Sequence, residues 1–239
     1  MKKYFMLLLV IIAGITFICS EIKPSVMQKA KNGDKIAQYM VGNDYYRNGN
    51  KEEAIKWFRK SAEQGYCHAQ FYLAYFYERG FGSDKNIEKS DFWYKKAFDS
   101  YKKQALKGDD YSQVYIATSY QRGNGVKQNE AKAINWYKKA MKQGNRKAIY
   151  RIGTIYAGSS ELKNEKKAIK YIKLAAEKGY LMTQMCLGMF YEEGRIVEKD
   201  ISKAIKWYRT AFNNEDAYCP ATKKAAKKKI EELSLKLNK

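Results

Sequence analysis

The sequence predicts an all-α protein, an α/α solenoid of about five two-helix repeats closed by a C-terminal capping helix. Three observations carry this. Nearly the same helix is written four times: AIKWFRKSAEQG at 54–65, AINWYKKAMKQG at 133–144, AIKYIKLAAEKG at 168–179 and AIKWYRTAFNN at 204–214. An unbroken tyrosine column, Tyr45, Tyr77, Tyr120, Tyr156 and Tyr191, runs through the segments between them. Only two prolines occur in 239 residues, while 21 tyrosines supply amphipathic bulk. That composition suits helices packed through aromatic faces.

The elements follow in order. MKKYFMLLLVIIAGITFICS has two lysines, an apolar run from Tyr4 to Cys19 and a small-residue end, the layout of a secretory signal peptide over 1–20. The run is shorter than the ~20 residues a spanning helix prefers. Export to the periplasm or beyond is expected. Retention as a membrane anchor through residues 4–19, or lipidation at Cys19, are the alternatives. Ile18 precedes that cysteine where lipidation wants a small residue. Residues 21–33, with Pro24 leading in, read as a half-repeat helix. The five repeats are placed at 34–65, 66–108, 109–144, 145–179 and 180–216, and the capping helix with its basic tail at 217–239.

Each repeat has readable columns. The first helices open on Ala37, Ala69, Ser112, Ala148 and Thr183, and five residues on stand Gly42, Ala74, Ala117, Gly153 and Gly188. Glycine inside a helix costs about 1 kcal/mol against alanine. Close approach of the facing helix is the expected reason, with the aromatic column Trp57, Trp93, Trp136, Tyr171 and Trp207 lying over the gap. Ala54, Trp57, Phe58, Ser61 and Ala62 lie at i, i+3, i+4, i+7 and i+8, one face of a helix. Asn50, Asn86, Asn129, Asn164 and Asp200 are good N-caps for the second helices. Gly80, Gly123 and Gly194 end first helices, and Gly65, Gly108, Gly144 and Gly179 follow second ones, where a left-handed residue is wanted. In the last helix Ala221, Ala225, Ile230, Leu233 and Leu237 are expected to face inward, with Lys223, Lys224, Lys227, Lys228 and Lys229 outward, as a terminal helix of a solenoid requires.

These columns resemble Sel1-like repeats, a branch of the tetratricopeptide-type α/α solenoids. The family pattern, roughly A-x-x-x-L-G-x-x-Y-x-x-G-x-G-V, a polar cap, then K-A-x-x-W-Y-x-x-A-A-x-x-G, is matched almost throughout by SQVYIATSYQRGNGVKQNEAKAINWYKKAMKQG at 112–144. The resemblance implies a right-handed superhelix whose concave side, lined by first helices, holds proteins or peptides. It also implies export, common among bacterial members. Two departures stand out. The first repeat has a loop four residues shorter, and the second has a second helix seven residues longer, through FDSYKKQALKG at 98–108. Seven residues keep the apolar face in phase within ~20°, and that helix is expected to project as a ridge.

A more distant branch, the Helicobacter cysteine-rich proteins, carries a cysteine pair in each repeat and includes members described as penicillin-binding or weakly β-lactam-hydrolysing. This chain lacks the pairs. Cys186 and Cys219 are offset by five residues along neighbouring helices, about 12 Å between Cα atoms, so no intrachain disulfide is expected for Cys67, Cys186 or Cys219.

No catalytic constellation, metal site or cofactor is expected. His68, the only histidine, adjoins Cys67, but neighbours on a helix point about 100° apart. The S-x-x-K strings at 100–103 and 160–163 lack the companion motifs of serine β-lactamases. What remains is recognition. Three, six and ten residues after the first-helix anchors lie Arg47, Tyr72, Tyr75, Arg79, Tyr115, Arg122 and Arg151. They would form a groove in which tyrosines stack on a partner and arginines grip its carboxylates. The function expected is a non-enzymatic, monomeric, exported scaffold for a protein or peptide, acidic ones included. Alternatives of other classes are an envelope penicillin-binding or β-lactamase-like protein, and a polyanion binder. The net charge of +21 suits the last, but an exported chain rarely works on nucleic acid, and most lysines fall on polar helix faces.

Overall fold

The computed structural model describes residues 22–215 and 220–237. The expected leader at 1–20, with Cys19, and Cys219 lie outside the described residues. Among those described there are twelve helices and no strand. They are α1 (Pro24–Lys31), α2 (Lys35–Arg47), α3 (Lys51–Glu63), α4 (Cys67–Arg79), α5 (Ile87–Leu106), α6 (Asp110–Arg122), α7 (Glu130–Lys142), α8 (Arg146–Gly158), α9 (Glu165–Glu177), α10 (Leu181–Glu193), α11 (Ile201–Phe212) and α12 (Pro220–Leu237). The described chain divides into two compact units that part between Ser100 and Tyr101. No described helix is long and apolar enough to cross a membrane.

The same joint closes every repeat in both units. The side chains of Asn50, Asn86, Asn129, Asn164 and Asp200 each accept the amide three residues on, at 2.8–3.1 Å. The backbone amide of each cap then donates to the carbonyl of the column tyrosine: Asn50 to Tyr45, Asn86 to Tyr77, Asn129 to Tyr120, Asn164 to Tyr156 and Asp200 to Tyr191, at 2.7–2.9 Å. In four repeats a lysine lies over the tyrosine ring, Lys89, Lys132, Lys167 and Lys203 at 5.3–5.6 Å from the centroid. Its charge meets the negative face of the ring.

In the first unit, α2 crosses α3 so closely that a Cβ at Gly42 would lie 2.8 Å from the Phe58 ring. In the second unit a Cβ at Gly188 would lie 2.5 Å from Tyr208. The residue lying over the gap is therefore the one after the expected tryptophan. Phe58, Tyr137 and Tyr208 are fully buried, whereas Trp57, Trp93, Trp136 and Trp207 are only half-buried. The i+4 position faces the first helix squarely, and the i+3 indole lies at the edge of the seam.

The tyrosines at this position bring an acceptor with them. Tyr94 donates to Glu78 (2.8 Å), Tyr137 to Gln121 (3.0 Å) and Tyr208 to Glu192 (2.7 Å). Where the residue is Phe58 or Ile172, the acceptor position holds Tyr46 or Ala157. A second relay runs beside the anchors. Gln38, Gln70, Gln113 and Gln184 donate to the carbonyls of Ala30, Ala62, Ala105 and Ala176, at 3.1–3.3 Å. Their side-chain oxygens accept from Gln64, Ser100, Gln143 and Asn214, at 2.8–3.0 Å. In the fourth repeat Ile149 and Lys178 stand at the two places, so both ends of the relay are missing together and neither is orphaned.

Two expectations are corrected. The extension of α5 is no projecting ridge: Tyr101 and Ala105 are each 2 % exposed. Tyr101 stacks on Tyr115 at 4.1 Å, and Ala105 supplies the carbonyl for Gln113. The early turns of α5 serve α4 through Tyr94 and Ser100, and the extra two turns serve α6. On α12 the buried residues are Ala226 and Leu233, with Ile230 half-buried, while Ala221, Ala225 and Leu237 are exposed. The i, i+4, i+7 stripe starting at Ala226 sets the face, so Lys229 turns inward and meets Glu192 at 2.8 Å.

One backbone position is strained. Ile196 has φ +64°, where the second and third repeats place Gly82 and Gly125. A β-branched residue in the left-handed region is a rare outlier.

Candidate functional site

The first helices bring the expected site residues into two groups, one in each unit. In the first unit Tyr72 and Tyr75 sit half-buried on α4, and Arg47 and Arg79 stand exposed at the ends of α2 and α4. The tyrosines do not wait for a partner's ring. Tyr72 stacks on Phe58 at 5.1 Å and meets Tyr39 and Tyr46 edgewise or tilted at 5.8 and 6.1 Å. Tyr75 packs on Phe81 at 5.7 Å, and the Arg79 guanidinium lies 5.6 Å from its centroid. The result is a continuous aromatic patch. Burial raises the Tyr46 hydroxyl above the ordinary tyrosine range, helped by Tyr75, Tyr72 and a hydrogen bond to Tyr75. The neutral Tyr46 hydroxyl therefore remains both a donor and an acceptor.

Tyr39, Tyr46 and Tyr66 belong to this patch and were not singled out from the sequence. The signal was the spacing of Tyr39 and Tyr46, seven residues apart, the same interval that joins α2 positions on one face. His68 also enters it, stacked on Tyr66 at 5.2 Å and lying 5.7 Å from Tyr39. Contrary to the expectation from helical geometry, Cys67 Sγ and His68 Nδ1 meet at 3.4 Å. Stacking on Tyr66 turns the imidazole back toward the thiol. Cys67 is 2 % exposed, so this contact offers no nucleophile to solvent. Among the described residues no group of three or more His, Cys, Asp or Glu could hold a metal ion.

In the second unit Tyr115 is half-buried against Tyr101, Arg122 is exposed at the end of α6, and Arg151 is half-buried on α8. Arg151 Nε is shielded from solvent and has no hydrogen-bond partner among the described residues. Lys147, one turn before Arg151, joins them and was missed because it precedes the anchor Ala148. Although Lys147 is exposed as a residue, local desolvation by the surrounding protein, then Arg151 and Arg122, hold its ammonium below the ordinary lysine range.

The S-x-x-K strings are structural. Ser100 donates to Gln70 at 2.9 Å, and Lys163 pairs with Glu165 at 3.7 Å. Neither serine has its lysine as a described hydrogen-bond partner.

Comparison with known proteins follows the repeat boundaries. The Sel1 repeat family model matches residues 35–66, 67–100, 110–145, 146–180 and 183–216. The structure of a Sel1 repeat protein from Oxalobacter formigenes is 30% identical with a TM-score of 0.56, over 81% of this chain and 76% of that one. A putative Sel1 repeat protein from Klebsiella pneumoniae shares the fold at 21% identity and a TM-score of 0.51, over 88% and 98% of the two chains. The chitin synthase regulator SKT5 of Saccharomyces cerevisiae is 38% identical over 76 residues, 29% of this chain and 11% of that protein. The chain thus spans about a tenth of that curated relative.

Proposed function

Since the chain belongs to the Sel1 repeat family, whose members are in general non-catalytic interaction scaffolds, we propose that it is an exported docking protein. It holds a peptide or protein segment against its first helices. The observation that carries this reading is the aromatic patch of the first unit. Tyr39, Tyr46, Tyr66, Tyr72 and Tyr75 are half-buried and pre-packed on one another, with the Arg79 guanidinium over Tyr75 and the exposed Arg47 next in the chain to Tyr46. Rigid aromatics lose little entropy on contact, and Tyr and Arg are the residues in which binding energy concentrates. The relative from yeast is a regulator by name, a role that docking can fill. Export rests on the basic, apolar and small-residue order of residues 1–20.

The test is affinity capture from cell envelope and culture fluid with the wild-type protein and an Arg47→Glu/Arg79→Glu variant. Both arginines are exposed, so the variant should melt with the wild type. Loss of an anchor worth about 2 kcal/mol predicts a roughly 30-fold drop in affinity for the captured partner. Equal recovery of every captured species by the two proteins would refute the patch as the docking face.

A further inference from the structure

We propose that Arg122, Lys147 and Arg151, in the second unit, form a receptor for a carboxylate of an acidic peptide. The inference rests on the docking reading above and names the chemistry of what docks. Lys147 lies within electrostatic reach of both Arg151 and Arg122, and none of the three has an acidic partner among the described residues. Each would be better solvated alone, and their mutual repulsion is a standing cost. The Arg151 guanidinium lies 6.0 Å from the Tyr150 ring centroid, but its solvent-shielded Nε has no hydrogen-bond partner among the described residues. A buried donor without an acceptor is rare and costly, and a ligand oxygen removes that cost.

The repeat itself says which ligand. Next to the equivalent tyrosine the second and last repeats carry a carboxylate. Glu78 accepts from Tyr94 at 2.8 Å, and Glu192 accepts from Tyr208 at 2.7 Å and from Lys229 at 2.8 Å. In the third repeat this place holds Gln121, which accepts from Tyr137 at 3.0 Å. Tyr137 lies within electrostatic reach of both Arg122 and Arg151, and Arg122 follows Gln121 directly in the chain, so both cations share the neighbourhood of the position where the sister repeats keep their acid. The fold has a place for a carboxylate here, the cations are present, and the acid is absent. The contrast in ammonium groups agrees: Lys229, with Glu192 beside it, is raised above the ordinary lysine range, whereas Lys147 is lowered.

The experiment uses the full protein and, as probe, fluorescein-labelled hexaglutamate with a capped C-terminus, read by anisotropy. Hexaglutamine, identically capped, is the neutral control, and inorganic pyrophosphate is the competitor. Gln121→Glu supplies the missing acid from within. It should weaken hexaglutamate binding about tenfold, as should Arg151→Met, one charge-assisted contact being worth about that factor. Gln121→Glu should also melt no lower than the wild type, and the Lys147 ammonium, followed by NMR, should titrate at higher pH in it. Lys224→Met/Lys228→Met, on the exposed face of α12, should bind as the wild type does.

The proposal is overturned if hexaglutamate does not bind, if it binds Gln121→Glu and wild type alike, if only the α12 variant loses it, or if pyrophosphate displaces it at lower concentration than unlabelled hexaglutamate. The capture experiment probes the first unit and this one the second. A partner lost with Arg47→Glu/Arg79→Glu, alongside hexaglutamate binding that ignores Gln121→Glu, would sink the receptor and leave the docking reading standing. No capture at all would sink the docking reading itself.

Discussion

Positions 188 and 196 of this chain are both unsuited to a Cβ, and only the first of them is filled by glycine. Gly188 has no room for a methyl, because the ring it would strike belongs to a fully buried Tyr208. Gly188→Ala gains about 1 kcal/mol of helix propensity. It loses more, about 2–3 kcal/mol, to overpacking against a ring that cannot retreat, so a net loss of about 1–2 kcal/mol is expected in denaturant unfolding. Ile196 is the opposite case. Its left-handed backbone costs about 1–2 kcal/mol, of which Ile196→Gly should recover roughly 1 after the added freedom of the unfolded chain is counted. An unchanged or lower midpoint for that variant would mean that the Ile196 side chain, 37% exposed, contributes packing worth as much as the strain.

At the scale of the helix, the polar seam decides how the protein answers to acid. Glu192 is partly desolvated, which by itself raises its pKa, but the bonds from Lys229 and Tyr208 outweigh this and hold it below the ordinary carboxylate range. A carboxyl whose folded pKa is depressed contributes its stability above the unfolded value and loses it as pH falls through the folded one. The α11–α12 contact should therefore loosen in acid. Glu192→Gln should melt lower at pH 7 and show a flatter loss of Tm below about pH 4.5. Parallel Tm curves for the two proteins would count against this.

The caps, the tight crossings and the repeat itself were legible in the sequence because each depends on residue type at a fixed interval. Gln38, Gln70, Gln113 and Gln184 were equally periodic, one place after the anchors, but glutamine in a helix reads as solvated until its carbonyl partner eight residues back is seen. The phase of α12 and the burial of Tyr101 were not legible. Each depends on how a neighbouring helix meets it, and short runs of Ala and Lys fit several faces equally well. Of the site, Tyr72, Tyr75 and Arg151 came from column positions, whereas Tyr39, Tyr46 and Lys147 needed the packing to bring them in.

The molecule as a whole carries 46 basic against 25 acidic residues, and part of the excess is structural. Lys89, Lys132, Lys167 and Lys203 cover tyrosine rings, and Lys60 and Lys139 lie over Trp57 and Trp136. The remaining charge repels itself. Ion pairs such as Lys56–Glu53 and Lys228–Glu232 are exposed and contribute little each. Screening should win over their loss, and raising NaCl from about 10 mM to about 300 mM, which shrinks the Debye length from ~30 Å to under 10 Å, should raise Tm by a few degrees. A fall would mean that attractive pairs outweigh the net repulsion. The amide-to-carbonyl joint between each cap and its tyrosine has a further implication. It fastens the stem of the connecting loop, and in the second repeat, where four residues more than in the first separate the tyrosine from its cap, Phe81 is packed on Tyr75 and only the exposed tip at Asp84 and Lys85 is left without such packing. Each doubling of such a loop costs only about 0.6 kcal/mol in closure entropy. That tip is therefore where new sequence, such as an epitope or an affinity tag, can be spliced in while the helices on either side stay latched.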